Sequence, residues 1–140
     1  MTSRECIIVT GASSGIGAAT ARVLADSGYD VIACARRIDR LDALASENSA
    51  ITAHYLDITD QKSVDQLVSD LADRKASVLV NCAGGAFDAS SVLDSDPAIW
   101  SKTYDLNVVG TVRMVKAFTP AMQKLGHGHI VIISSTAGHA

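Results

Sequence analysis

Short apolar runs alternate with stretches whose apolar residues recur at helical spacing. Cys6–Thr10 (CIIVT) is almost continuously apolar and ends in a glycine turn, the pattern of a buried strand. Gly15–Ser27 predicts a helix with Ile16, Ala19, Val23 and Leu24 inward and Gly28 as its stop. Val31–Ala35 reads as a second strand. Asp39–Glu47 reads as a short helix capped by Asp39, with Leu41, Leu44 and Ala45 inward. Ile51–Leu56 reads as a third strand. After Asp60, Val64, Leu67, Val68 and Leu71 fall at i, i+3, i+4 and i+7, one stripe of an amphipathic helix. Val78–Asn81 predicts a fourth strand and Gly84–Ser95 a loop of small and polar residues. Asp96 caps a long helix with Pro97 at its first position. That helix runs to about Leu125, with a bend expected near Gly110 or Pro120. His129–Ser134 predicts a fifth strand.

Alternating strands and helices of these lengths imply parallel βαβ units with right-handed crossovers. The strands are too uniformly apolar for a sheet with one wet face, so helices must cover both faces. The expected fold is α/β, a Rossmann-type doubly wound parallel sheet with five strands in the order 3-2-1-4-5. The turn after strand one and the loop after strand four then meet at the switch point, where such sheets bind ligands.

Composition narrows the function without changing the fold. The 140 residues, 48% hydrophobic and 19% charged, suit one globular domain over 1–140. The net charge of −3, with no basic block, gives no electrostatic reason to expect a nucleic-acid partner. The apolar runs are too short to span a bilayer, and the N-terminus does not read as a signal peptide. Cys6, Cys34 and Cys82 form no CxxC and sit in or beside strand-like runs. They read as buried reduced thiols of a cytoplasmic protein rather than disulfide or zinc ligands.

The chemistry begins at Gly11, Gly15 and Gly17, spaced G-x-x-x-G-x-G between the first strand and the first helix. Glycine at the first position lets the chain turn out of the strand, and the other two permit close backbone approach. Backbone N–H groups at the helix start then face an anion, as a dinucleotide pyrophosphate requires. The second strand ends Cys34-Ala35-Arg36-Arg37, with no acid to accept from a ribose 2′-hydroxyl. Two guanidiniums there suit a 2′-phosphate, so NADP is expected rather than NAD.

These segments together resemble the N-terminal part of a short-chain dehydrogenase/reductase. Thr10-Gly11-Ala12-Ser13-Ser14-Gly15-Ile16-Gly17 is similar to that family's TGxxxGIG cofactor loop. Leu56-Asp57-Ile58 resembles the segment whose Asp meets the adenine amino group. Asn81-Cys82-Ala83-Gly84 resembles the family's NNAG, with Cys82 in place of the second Asn. The resemblance thus implies cofactor contacts at Gly11, Ser13, Ser14, Gly15, Ile16, Gly17, Arg36, Arg37, Asp57, Ile58, Asn81, Ala83 and Gly84. It also implies catalytic roles for Asn107, in a bent helix whose carbonyl binds a relay water, and for Ser135, with Ser134 as the alternative. Ala35-Arg36-Arg37, Gly126-His127-Gly128-His129 and Ser135-Thr136-Ala137-Gly138 look most like bacterial NADP-dependent dehydrogenases of serine and related 3-hydroxy acids.

In that family a Tyr, with a Lys four residues later, completes the site. Tyr29, Tyr55 and Tyr104 are followed at that distance by Ala33, Thr59 and Val108. The resemblance places the pair beyond Ala140, together with the last strands, so the chain is expected to be an incomplete, inactive portion of a homo-oligomeric enzyme. Its fifth strand would then be an exposed β-branched edge. The rival reading is a non-catalytic NADP(H)-binding module, or a fragment needing a completing partner. A methyltransferase-type domain fits less well, because the loop lacks the acid and glycine pattern expected of it. The HGH of residues 127–129 reads as a turn rather than a metal site. His139 is read as loop surface or substrate-pocket lining, and Trp100 and Tyr104 as packing residues.

Overall fold

A computed structural model describes residues 3–138. Its sheet consists of β1 (Cys6–Thr10), β2 (Asp30–Ala35), β3 (Ile51–Tyr55), β4 (Ala76–Asn81) and β5 (His129–Ile132). All neighbours are parallel, and the order is β3-β2-β1-β4-β5, as the sequence predicts. The helices are α1 (Gly15–Asp26), α2 (Ile38–Glu47), α3 (Gln61–Asp70), α4 (Pro97–Tyr104) and α5 (Gly110–Leu125).

Strand alternation sorts the core into two layers. Cys6, Ile8, Ile32, Cys34 and Leu79 face Val64 and Leu67 of α3 and Met114, Phe118 and Met122 of α5. Ile7, Val9, Val31, Ala33 and Val80 face Ala21 and Ala25 of α1 and Leu41 and Leu44 of α2. The order of chain crossings puts the ends of β1 and β4 side by side, with the glycine turn on one and Cys82–Gly84 on the other. β5 is exposed along its whole length and is one of the two edge strands, with β3, among those described. Ile130, Val131, Ile132 and Ile133 lie open there, the β-branched edge the sequence implies.

Several local expectations are corrected. On α1 the buried face is Gly17, Ala18, Ala21 and Ala25, while Ile16 and Val23 are each 63% exposed and Ala19 is exposed. Small side chains let this helix lie close against the sheet, so methyl-sized groups, not the large apolar ones, make its packing layer. Arg37 rather than Asp39 occupies the N-cap of α2, leaving Asp39 in the first turn, where its charge meets the positive helix end. Val68 stays partly exposed beside buried Val64 and Leu67. Asp96 does cap α4, accepting from the Ala98 N–H at 2.9 Å.

The long helix is interrupted by a π turn at Asp105–Val109, just before Gly110, and Pro120 lies inside α5 without ending it. A side chain accompanies the break. Asn107 Nδ2 donates to the Thr103 carbonyl at 2.9 Å, taking the acceptor that an α-helix reserves for the Asn107 N–H. The Gly110 N–H correspondingly reaches back to the Asp105 carbonyl, five residues away. Trp100 and Tyr104 are more than half exposed, so they are not packing residues within the described chain. The Trp100 indole N–H instead donates to Ser95 Oγ at 2.8 Å. No described helix is long and apolar enough to cross a membrane.

Candidate functional site

A cavity of about 550 Å³ opens where β1 and β4 end, walled by the turn into α1, the end of β2, residues 56–58 and residues 82–84. Two glycines shape it. Gly11 has φ +65°, and a Cβ there would lie 2.8 Å from the Ala83 backbone nitrogen. A Cβ on Gly17 would lie 2.1 Å from the Gly11 carbonyl oxygen. The turn is therefore closed on itself and on the β4 loop at the same time.

The start of α1 fits a phosphate. Ser14 has extended backbone at the N-cap, but its hydroxyl caps no helix N–H, and no acid stands in the first turn. The free N–H groups and the helix dipole meet the cavity, which Ser13, Ser14, Gly15, Ile16 and Gly17 all line. Across the cavity Arg36 and Arg37, both exposed, follow the end of β2. Asp57 and the buried Ile58 form the next wall. Asp57 Oδ1 accepts from both the N–H and the hydroxyl of Thr59, at 3.0 and 2.7 Å. That fixes the carboxylate through Oδ1 and leaves Oδ2 outside the turn. The Asp57 N–H donates to Ser63 Oγ at 2.9 Å, tying the loop to α3.

Beneath the cavity runs a chain of hydrogen bonds, buried at Thr10 and Asn81 and reaching the surface at Thr111. The Ala83 N–H donates to Thr10 Oγ1 at 3.1 Å, and Thr10 Oγ1 donates to Asn81 Oδ1 at 2.9 Å. Asn81 Nδ2 donates to Thr111 Oγ1 at 3.1 Å, and Thr111 Oγ1 donates to the Asn107 carbonyl at 2.7 Å. An N–H at one end can only donate and a carbonyl at the other can only accept, so the chain has one direction. It sets which way the Asn81 amide points.

The sequence-derived residues thus separate. All the expected cofactor contacts line the cavity except Asn81, which is 2% exposed and works from below. Asn107 borders the site through its amide. Oδ1 accepts from the Gly85 N–H at 3.0 Å, and Nδ2 donates to the Gly85 carbonyl at 2.6 Å, clamping the loop after β4 to the π turn. Ser135 follows the last ladder bond, from the Ile133 N–H to the Asn81 carbonyl, by two residues. Its Oγ accepts from the Ala137 N–H at 3.0 Å, and both Ser134 and Ser135 are exposed. His139 lies outside the described residues. Sequence reasoning missed Thr111, although its position four residues after Asn107 is the spacing at which a helical Thr reaches a carbonyl.

Cys82 is the thiol to watch. Cys34 is wholly buried, and burial pushes its pKa well above the ordinary thiol range. Cys6 is buried as well. Cys82 is only partly buried and lines the cavity, with its pKa raised by desolvation and pulled back by a bond with Thr20. An alkylating reagent is expected to modify Cys82 first, and NADPH to slow that reaction alone. Peptide mapping by mass spectrometry checks this, and equal labelling of Cys82 with and without NADPH would count against the cavity as the dinucleotide site.

A family model described as short chain dehydrogenase matches residues 5–140. An uncharacterized oxidoreductase of Mycobacterium tuberculosis is 45% identical over 136 residues, covering 97% of this chain and 53% of that protein. An NADP-dependent 3-hydroxy acid dehydrogenase of Salmonella typhi is 35% identical, covering 94% of this chain and 54% of its own. Serine dehydrogenase, in its closed form complexed with NADP+, superposes with a TM-score of 0.91 at 32% identity, over 96% of this chain and 56% of its own. The chain spans about half the length of each of these relatives.

Proposed function

Because the chain belongs to the short-chain dehydrogenase family, we propose that it carries the NADP-binding half of an oxidoreductase site acting between NADP(H) and a carbonyl or secondary alcohol, a 3-hydroxy acid among the candidates. The cofactor supplies or receives the hydride. The protein's own residues bind and orient. The α1 N-terminus and Ser13 and Ser14 meet the diphosphate, Arg36 and Arg37 a 2′-phosphate, and Asp57 Oδ2 the adenine amino group. Asn107 holds the loop after β4 in register and offers its carbonyl to a relay water, and Ser135 orients the substrate oxygen. Free thiols and a soluble-enzyme family fit a cytoplasmic setting, and the family fits a homo-oligomeric full-length form.

One observation carries the cofactor choice: the wall after β2 presents Arg36 and Arg37 and no carboxylate. The names of the NADP-dependent relatives support the same reading. Fluorescence titration is expected to show NADPH binding at least roughly tenfold tighter than NADH, a difference of about 1.4 kcal/mol. Arg36→Ala combined with Arg37→Ala should erase the difference and leave NADH affinity within about twofold, as expected when only phosphate contacts are lost. Tighter binding of NADH would overturn NADP, and no binding of either would overturn the dinucleotide site.

A second reading is an NADP(H)-binding module without turnover. None of Tyr29, Tyr55 and Tyr104 has a lysine four residues on. Reading the coding sequence past codon 140 separates the two readings: an in-frame Tyr with a Lys four residues on supports the first, and its absence supports the second.

A further inference from the structure

α5 meets the cavity wall at Ile58 in two places. A Cβ on Gly110 would lie 2.8 Å from the Ile58 side chain and 3.2 Å from its carbonyl oxygen. Three residues later, Arg113 Nη1 donates to that same carbonyl at 3.0 Å. The other arm, Nη2, donates to Asp105 Oδ1, also at 3.0 Å. Arg113 is 20% exposed, so both contacts are partly shielded from water. Ile58 is buried and adjoins Asp57 in the cavity wall, whereas Asp105 is the first residue of the π turn that holds Asn107.

We propose that Arg113 is a positioning residue that couples the adenine end of the cavity to the π turn bearing Asn107. A guanidinium is planar and rigid, so its two arms cannot move independently. A displacement of Ile58 reaches Asp105 through one group, without passing through the glycine loop. The tight seat of Gly110 on Ile58 prevents α5 from absorbing that displacement by sliding. A ligand that orders residues 57–58 therefore also orders residues 105–109, and by linkage the converse holds. The inference rests on the dinucleotide reading only in placing adenine beside Asp57.

Hydrogen exchange on this chain, with and without adenosine 2′,5′-bisphosphate, tests it. That probe has the adenine end of NADP and no nicotinamide. In the wild-type chain exchange is expected to slow at residues 57–59 and, by roughly fivefold or more, at residues 105–110. Arg113→Lys keeps the charge but not the fork, and Arg113→Met keeps neither. Both should retain the slowing at 57–59 and lose it at 105–110, a pattern that general loss of stability does not produce. If neither folds, Asp105→Ala cuts only the arm to the π turn and should give the same pattern. Slowing at 57–59 alone in the wild type, or undiminished slowing at 105–110 in the folded variants, overturns the coupling and leaves the dinucleotide reading intact. Absence of binding by the wild type overturns both.

Discussion

Gly17→Ala is expected to abolish dinucleotide binding and to lower the unfolding free energy by about 3 kcal/mol. The added Cβ would stand 2.1 Å from the Gly11 carbonyl oxygen, 2.6 Å from its carbon and 3.0 Å from the Ala12 nitrogen. Every one of these is backbone, so no rotamer change relieves the clash. The first turn of α1 must swing away from the turn after β1, and that close approach is what aims its N–H groups into the cavity. Gly15→Ala is the informative contrast. Gly15 has φ +53°, but its Cβ would meet nothing within 4 Å. Its cost is backbone strain alone, about 1 kcal/mol. Urea unfolding and NADPH titration of both variants check the pair. A Gly17→Ala protein that binds NADPH within twofold of wild type would show that the turn can open without harm to the site.

Asn81→Leu is the second large loss, about 2–3 kcal/mol in stability. The shapes are similar, so packing changes little, but Thr10 Oγ1 loses its acceptor and Thr111 Oγ1 its donor. Thr10 is fully buried, so water cannot substitute there. Thr10→Val is costly for the complementary reason, since it strands the Ala83 N–H and Asn81 Oδ1. Combining Asn81→Leu with Thr10→Val removes both members of one bond, and the double variant should lose less than the sum of the singles. Denaturation of the three variants measures this directly. Strict additivity would mean that the chain beneath the cavity is not a connected network.

The central strands were legible because each is apolar on both sides, a pattern that only a sheet covered on both faces explains. Gly11 and Gly17 were legible because their context, strand before and helix after, leaves few reasons for glycine there. The inward face of α1 was not legible. Hydrophobicity ranks Ile16 and Val23 above Ala21 and Ala25, yet close approach to the sheet selects for small volume. The helix break expected near Gly110 or Pro120 falls just before Gly110, while Pro120 stays inside α5; its π form, with the Asn107 amide on the Thr103 carbonyl, was not legible. The polar supports of the site were hidden for a different reason. Thr10 finds Asn81 across 71 positions, Asn81 finds Thr111 across 30, and Arg113 finds Ile58 across 55. Local pattern carries no trace of partners that only the sheet order brings together.

The π turn at Asp105–Val109 also makes chain length itself a determinant of direction. A helix advances about 100° per residue, so one residue more or fewer between Tyr104 and Gly110 rotates α4 by that angle relative to α5. Deleting Val108 could yield a more regular helix, yet it would carry Trp100 and Tyr104 to another side of the molecule and pull Asn107 away from Gly85. Substitution of the exposed Val108 should therefore be tolerated where its deletion, or a single insertion beside it, is not.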